Sequence, residues 1–78
     1  MDITISYGSF QIDLKVNRKQ KIEDAISVLE DNGMLLIQET DNYMIFSERK
    51  RVRINRHLTY EQAEIYSGDI LYIRGENE

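Results

Sequence analysis

The stretch Asp2-Ile3-Thr4-Ile5-Ser6-Tyr7-Gly8-Ser9-Phe10-Gln11-Ile12-Asp13-Leu14-Lys15-Val16 decides how this chain folds. Ile3 and Ile5 alternate with Asp2, Thr4 and Ser6, the period-two pattern of a strand with one buried face. Phe10, Ile12, Leu14 and Val16 alternate in the same way with Gln11, Asp13 and Lys15. Tyr7-Gly8-Ser9 between them predicts a turn, with Gly8 free to adopt a positive φ. A hairpin with one apolar face needs a cover, and the next segment supplies one. Ile22, Ala25, Ile26 and Leu29 recur at i, i+3, i+4 and i+7, which predicts a helix from Lys21 to Asn32 with a single apolar stripe. Gly33 follows as the left-handed residue that ends it.

Downstream the chain is rich in strands. Leu35, Leu36 and Ile37 are expected to enter the core, and Glu39 to Asn42 to make a polar turn. Tyr43-Met44-Ile45-Phe46 reads as a short apolar strand, Ser47 to Lys50 as another turn, and Arg51-Val52-Arg53-Ile54 as an alternating strand. Thr59 with Gln62 fits a capping box for a brief helical turn through Glu64. Ser67-Gly68-Asp69 leads into a last strand, Ile70 to Arg74, and Gly75 to Glu78 reads as a short charged tail. The expected fold is α+β: one amphipathic helix packed on a mixed four- or five-stranded sheet, a single domain over residues 1–78. The helix charges run against its dipole, with Arg18, Lys19 and Lys21 at the positive end and Glu30 and Asp31 at the negative end. Each such placement costs about 0.3–1 kcal/mol, which tertiary packing can absorb.

Composition excludes several classes. At 78 residues the chain forms one small core, and without cysteine neither a disulfide framework nor a thiolate metal site can support it. The longest apolar runs fall far short of the roughly 18 residues a spanning helix needs. No basic-then-apolar leader opens the sequence. The expected location is cytoplasmic, with recruitment to the inner face of the membrane only through a partner. The single histidine, His57, has no cysteine to work with, so no Cys/His nucleophile or metal cluster is expected. Glu23-Asp24 and Glu30-Asp31 read as solvated helix carboxylates, and Asp31-Asn32-Gly33 lacks the other ligands of a calcium loop. No catalytic group, cofactor or metal is expected.

The order of elements and the core positions resemble ubiquitin over nearly the whole chain. Residues 2–16 resemble its first hairpin, Lys21-Ile22-Glu23-Asp24-Ala25-Ile26 the start of its helix, Met44-Ile45-Phe46 its third strand and Leu71-Tyr72-Ile73 its last. A closer likeness is to the small ubiquitin-like proteins of the YukD/EsaB family, accessory components of type VII secretion in Gram-positive bacteria. It rests on size and on Tyr60, Ile65 and Ser67-Gly68-Asp69-Ile70-Leu71-Tyr72-Ile73. The resemblance implies a β-grasp roll and a role as a non-conjugated adaptor or regulator. Its implied partner is a cytoplasmic part of a membrane-embedded secretion component. Conjugating and sulfur-carrying relatives end in Gly-Gly; here the residues are Ile73-Arg74-Gly75-Glu76-Asn77-Glu78, so neither chemistry is expected. Aligned with ubiquitin's apolar patch are Ile45, Tyr72 and Arg74, and the arginine breaks that patch.

One stretch stands out by charge. Glu48-Arg49-Lys50-Arg51-Val52-Arg53-Ile54-Asn55-Arg56 holds five of the ten basic residues in a chain of net charge -4. In an alternating strand Arg49, Arg51 and Arg53 would share one face while Val52 and Ile54 point to the core. Two readings stand. The stripe docks an acidic partner, with Ile45 and Tyr72 as an apolar complement, or it is a solvated edge strand charged against aggregation; the second weighs somewhat more. A third use, a small nucleic-acid-binding regulator built on residues 49–56, is set back by a pI near 4.9. The chain is expected to be a monomer or a weak homodimer.

Overall fold

Strand β1 (Asp2–Tyr7) turns back through Gly8 and Ser9 and runs antiparallel to β2 (Phe10–Lys15). Gly8 has φ 59°, the positive value a two-residue hairpin loop requires at its first central position. Helix α1 (Ile22–Asp31) follows, then β3 (Tyr43–Ser47), β4 (Val52–Ile54) and β5 (Ile70–Gly75). The structure, a computed structural model, describes residues 1–37 and 43–75, so the polar turn expected over Glu39 to Asn42 lies outside the described residues. The five strands form one mixed sheet in the order β2-β1-β5-β3-β4, in which only β1 and β5 run parallel. One helix on such a sheet is a β-grasp roll, the expected architecture in its five-stranded form.

The core lies between α1 and one face of the sheet. Ile22, Ile26 and Leu29 of the helix meet Ile3 and Ile5 of β1, Leu71 and Ile73 of β5, Ile45 of β3 and Ile54 of β4, all buried. Leu35 and Ile37 join them, whereas Leu36 is 78 % exposed: an extended chain alternates its side chains, so three consecutive apolar residues cannot all face inward.

Lys21 is a poor N-cap and makes no side-chain cap bond. The exposed amides of the first turn are satisfied from elsewhere: Ile22 N–H donates to the Leu58 carbonyl (2.9 Å) and Glu23 N–H to that of Arg56 (3.1 Å). At the far end Gly33, with φ 69°, donates to Glu30 O and Met34 to Leu29 O, the paired bonds of a Schellman stop. The expected capping box is present and reciprocal. Thr59 N–H donates to Gln62 Oε1 and Gln62 N–H to Thr59 Oγ1, both at 3.0 Å. It nucleates a single turn, which closes at Glu64 with φ 57°.

Tyr60 is wholly buried and its hydroxyl finds no partner among the described residues. Burial, with the nearby Asp24 charge, pushes its phenol well above the ordinary tyrosine range. The protonated form is therefore the one the fold accepts. Stability is fully present below the unfolded value of about 10 and is lost above it, by roughly 1.4 kcal/mol per pH unit, until the buried phenol itself ionises. Tyr60→Phe removes a desolvated hydroxyl, so it should leave stability at pH 7 equal or higher. It should also flatten the alkaline limb. Urea midpoints of both proteins between pH 8 and pH 11.5 test this, and parallel alkaline limbs would refute it. Tyr43, whose phenol burial also raises against the opposing Arg56 charge, keeps the limb from vanishing.

Candidate protein-binding face

The helix covers one side of the sheet and leaves the other open. Side chains alternate along each strand, so the β5-β3-β4 part of the open face is formed by Met44 and Phe46 of β3, Arg53 of β4, and Ile70, Tyr72 and Arg74 of β5. The register brings them together. Phe46 stands directly opposite Tyr72 on one side and Arg53 on the other, and Met44 stands opposite Arg74. The Arg74 guanidinium lies 5.6 Å from the centre of the Phe46 ring, within cation–π range. Beside them a shallow depression is lined by Phe46, Ser47, Glu48, Arg51, Tyr72 and Arg74. The Tyr72 hydroxyl donates to the Glu48 carboxylate, which, together with desolvation, holds the phenol above its ordinary value.

The residues singled out from sequence divide. Tyr72, Arg53 and Arg51 gather around Phe46. Ile45 does not: it is fully buried, packed opposite Ile73 and Ile54 in the core. Because Phe46 is the residue aligned with Tyr72, Ile45 must point to the opposite face, and it cannot complement the stripe. The stripe itself also differs from the expected alternating strand. Residues 48–51 are a four-residue turn closed by Arg51 N–H to Ser47 O (2.8 Å), and the strand begins only at Val52. Arg49 and Arg51 are thus turn residues, exposed, and only Arg53 is placed by the pleat. Val52 lies on the helix side but is 49 % exposed, being on an edge strand; Ile54 is buried as expected.

Asp69 was legible only as a turn residue, yet it fixes this turn. It is 2 % exposed and accepts three hydrogen bonds: from Ser47 Oγ at 2.5 Å, Arg49 N–H at 3.1 Å and Ile70 N–H at 2.8 Å. Ser47 Oγ accepts in turn from Lys50 N–H, and the Lys50 ammonium donates to the Ala63 carbonyl. The start of β5 is thereby tied to the turn that presents Arg49 and Arg51. Phe46 and Arg74 complete the face. Their signal in the sequence was the phase of β3 and β5 relative to each other, which no local pattern supplies.

A second charged group serves the fold. Glu23, in the first turn of α1, lies 3.0 Å from His57 Nδ1 and 3.9 Å from Arg56 Nε, and the Arg56 guanidinium stacks 4.2 Å from the Tyr43 ring centre. These contacts hold the 55–58 loop against the helix, where its carbonyls cap the first turn. His57 and Arg56 are accounted for in this way. No family model matches this chain, and no curated protein matches it.

Proposed function

We propose that this protein is a ubiquitin-like adaptor that works by binding another protein and is not itself conjugated, an accessory component of type VII secretion of the YukD/EsaB kind. The observation that supports binding is the open sheet face, where two half-buried aromatic rings, Phe46 and Tyr72, adjoin Arg51, Arg53 and Arg74 in a net acidic molecule. Aromatic and arginine side chains are the types that anchor protein interfaces. The arginines favour a partner that offers carboxylates around an apolar anchor. The absence of conjugation is supported by Gly75, which pairs with Tyr43 inside the sheet and is followed by Glu76 and not by a second glycine. The secretion role rests on the family resemblance. Among the described residues no helix is long and apolar enough to cross a membrane, so a membrane-embedded partner would have to do the anchoring.

A nucleic-acid reading draws on the same two rings, which could stack bases on an open sheet. It is disfavoured by Glu48, whose carboxylate sits at the rim beside Tyr72, and by the net charge of -4. A tagged pull-down from nuclease-treated, detergent-solubilised cells, run beside Phe46→Ala with Arg53→Glu, tests the proposal. Recovery of secretion-machine proteins by the wild type and their loss in the variant is the expected result. Recovery of nucleic acid alone from untreated lysate, falling steeply with salt, would replace the adaptor with the nucleic-acid reading.

A further inference from the structure

The edge of the sheet opposite the basic turn carries a separate pattern. Strand β2 is the outermost strand on its side and, at six residues, twice the length of the other edge strand, β4. The ladder fixes which of its backbone groups are in use. Val16 and Met1 exchange both bonds (Val16 N–H to Met1 O and the Met1 ammonium to Val16 O, each 2.9 Å). In an antiparallel pair such bonded positions recur every second residue, so Leu14, Ile12 and Phe10 also bond inward to β1. The N–H and C=O groups of Gln11, Asp13 and Lys15 therefore point outward from the edge. A long strand with a free edge is a template for a further strand.

Side chains select which strand fits. On the open face Asp13 accepts from Thr4 Oγ1 at 2.6 Å, and Lys15 stands opposite Asp2. On the helix face Leu14 and Val16 border a groove against α1, closed by Ala25, Leu29 and the 57 % exposed Val28. A second copy of β2, antiparallel and related by a two-fold axis through Leu14, would bring Asp13 opposite Lys15 of the other copy, twice. Both residues of each pair have outward-pointing backbone groups, so these are hydrogen-bonded pairs. Along the open face the charges then alternate as Thr4–Asp13 against Lys15–Asp2 of the other copy. On the helix face Leu14 meets its own counterpart, and Ile12 meets Val16. Shifting the register by one pleat sets Asp13 against Asp13, or moves the axis to Ile12 and sets Asp13 against Gln11; neither pairs the two charges.

We propose that β2 is the seam of a homodimer in which two sheets join edge to edge into one of ten strands, registered by Asp13–Lys15 pairs around Leu14. This surface is independent of the aromatic face, which both copies would leave open.

Sedimentation velocity from about 5 µM to 1 mM, with circular dichroism to confirm folding, tests the seam. Wild type should shift with concentration from 9.2 kDa to twice that mass. Asp13→Lys places lysine against lysine and Lys15→Asp places aspartate against aspartate. Each should raise the dimer dissociation constant at least about tenfold. Mixed one to one, these two variants are complementary at both pairs, and the mixture should dimerise as the wild type does. The double exchange Asp13→Lys with Lys15→Asp should also recover dimers, which separates loss of pairing from loss of fold. A wild type that stays at 9.2 kDa throughout overturns the proposal and leaves the edge to a strand from another protein. Single variants that dimerise unchanged, or a mixture that stays monomeric, overturn it as well.

Discussion

Asp69→Ala is expected to lower stability by about 3 kcal/mol, enough to move the thermal midpoint of a domain this size by about 12–24 °C. The carboxylate is 2 % exposed and receives a hydroxyl and two backbone amides. Alanine leaves all three donors without their acceptor in a place water reaches poorly, and unsatisfied buried donors cost about 1–3 kcal/mol each before relaxation. Asp69→Asn should fall between alanine and wild type, at about 1–2 kcal/mol. Its oxygen can still accept from Arg49 and Ile70, while its amide can donate to Ser47 Oγ, at the loss of a charge-assisted bond. Urea unfolding of the three proteins gives the order directly. An alanine variant within about 1 kcal/mol of wild type would show that the network contributes little. Because the same bonds hold the 48–51 turn, the alanine variant should also lose partner capture at temperatures where it remains folded.

The second large effect separates two adjacent residues. Ile45→Ala should cost about 2–4 kcal/mol, since Ile45 is fully buried between Ile54 and Ile73 and its loss leaves a cavity that the flanking strands cannot close. Phe46→Ala, one residue on, should cost less stability because its ring lies half-buried on the open face. Its effect should appear in binding, where a ring at the centre of an interface contributes at least about 2 kcal/mol, or roughly thirtyfold in affinity. Unfolding and pull-down assays on both variants give a crossed pattern. Loss of capture by a fully stable Ile45→Ala protein would place that side chain on the surface and invert the assignment of the two faces.

The hairpin, the helix and its glycine stop were readable from residue order because their signals are local: a period of two, a period of 3.6, and a left-handed residue after the last turn. The face of each later strand was not. Ile45 and Phe46 are both apolar, so their phase depends on pairing with β5, some 27 residues away, and that pairing sets Phe46 and not Ile45 beside Tyr72. The same holds for the arginines. An alternating strand from Arg49 onward would align three of them, but the turn runs through Arg51, which adopts φ 57°. Asp69 carried no signal beyond a turn, since its partners Ser47 and Arg49 lie 22 and 20 positions before it in the chain. Long-range hydrogen bonds of this kind leave no periodic trace.

The single parallel pairing, β1 with β5, joins the first strand of the sheet to the last, with Thr4, Ile5 and Ser6 aligned on Ile70, Leu71 and Tyr72. Tension applied at Met1 and Gly75 would pull these neighbours lengthwise past each other. Their evenly spaced bonds would then share the load in shear and not open one at a time. Pulling across the β1–β2 hairpin would instead unzip it bond by bond from the open end. The molecule is therefore mechanically anisotropic: stiff when stretched between its terminal strands, soft when peeled at its edge.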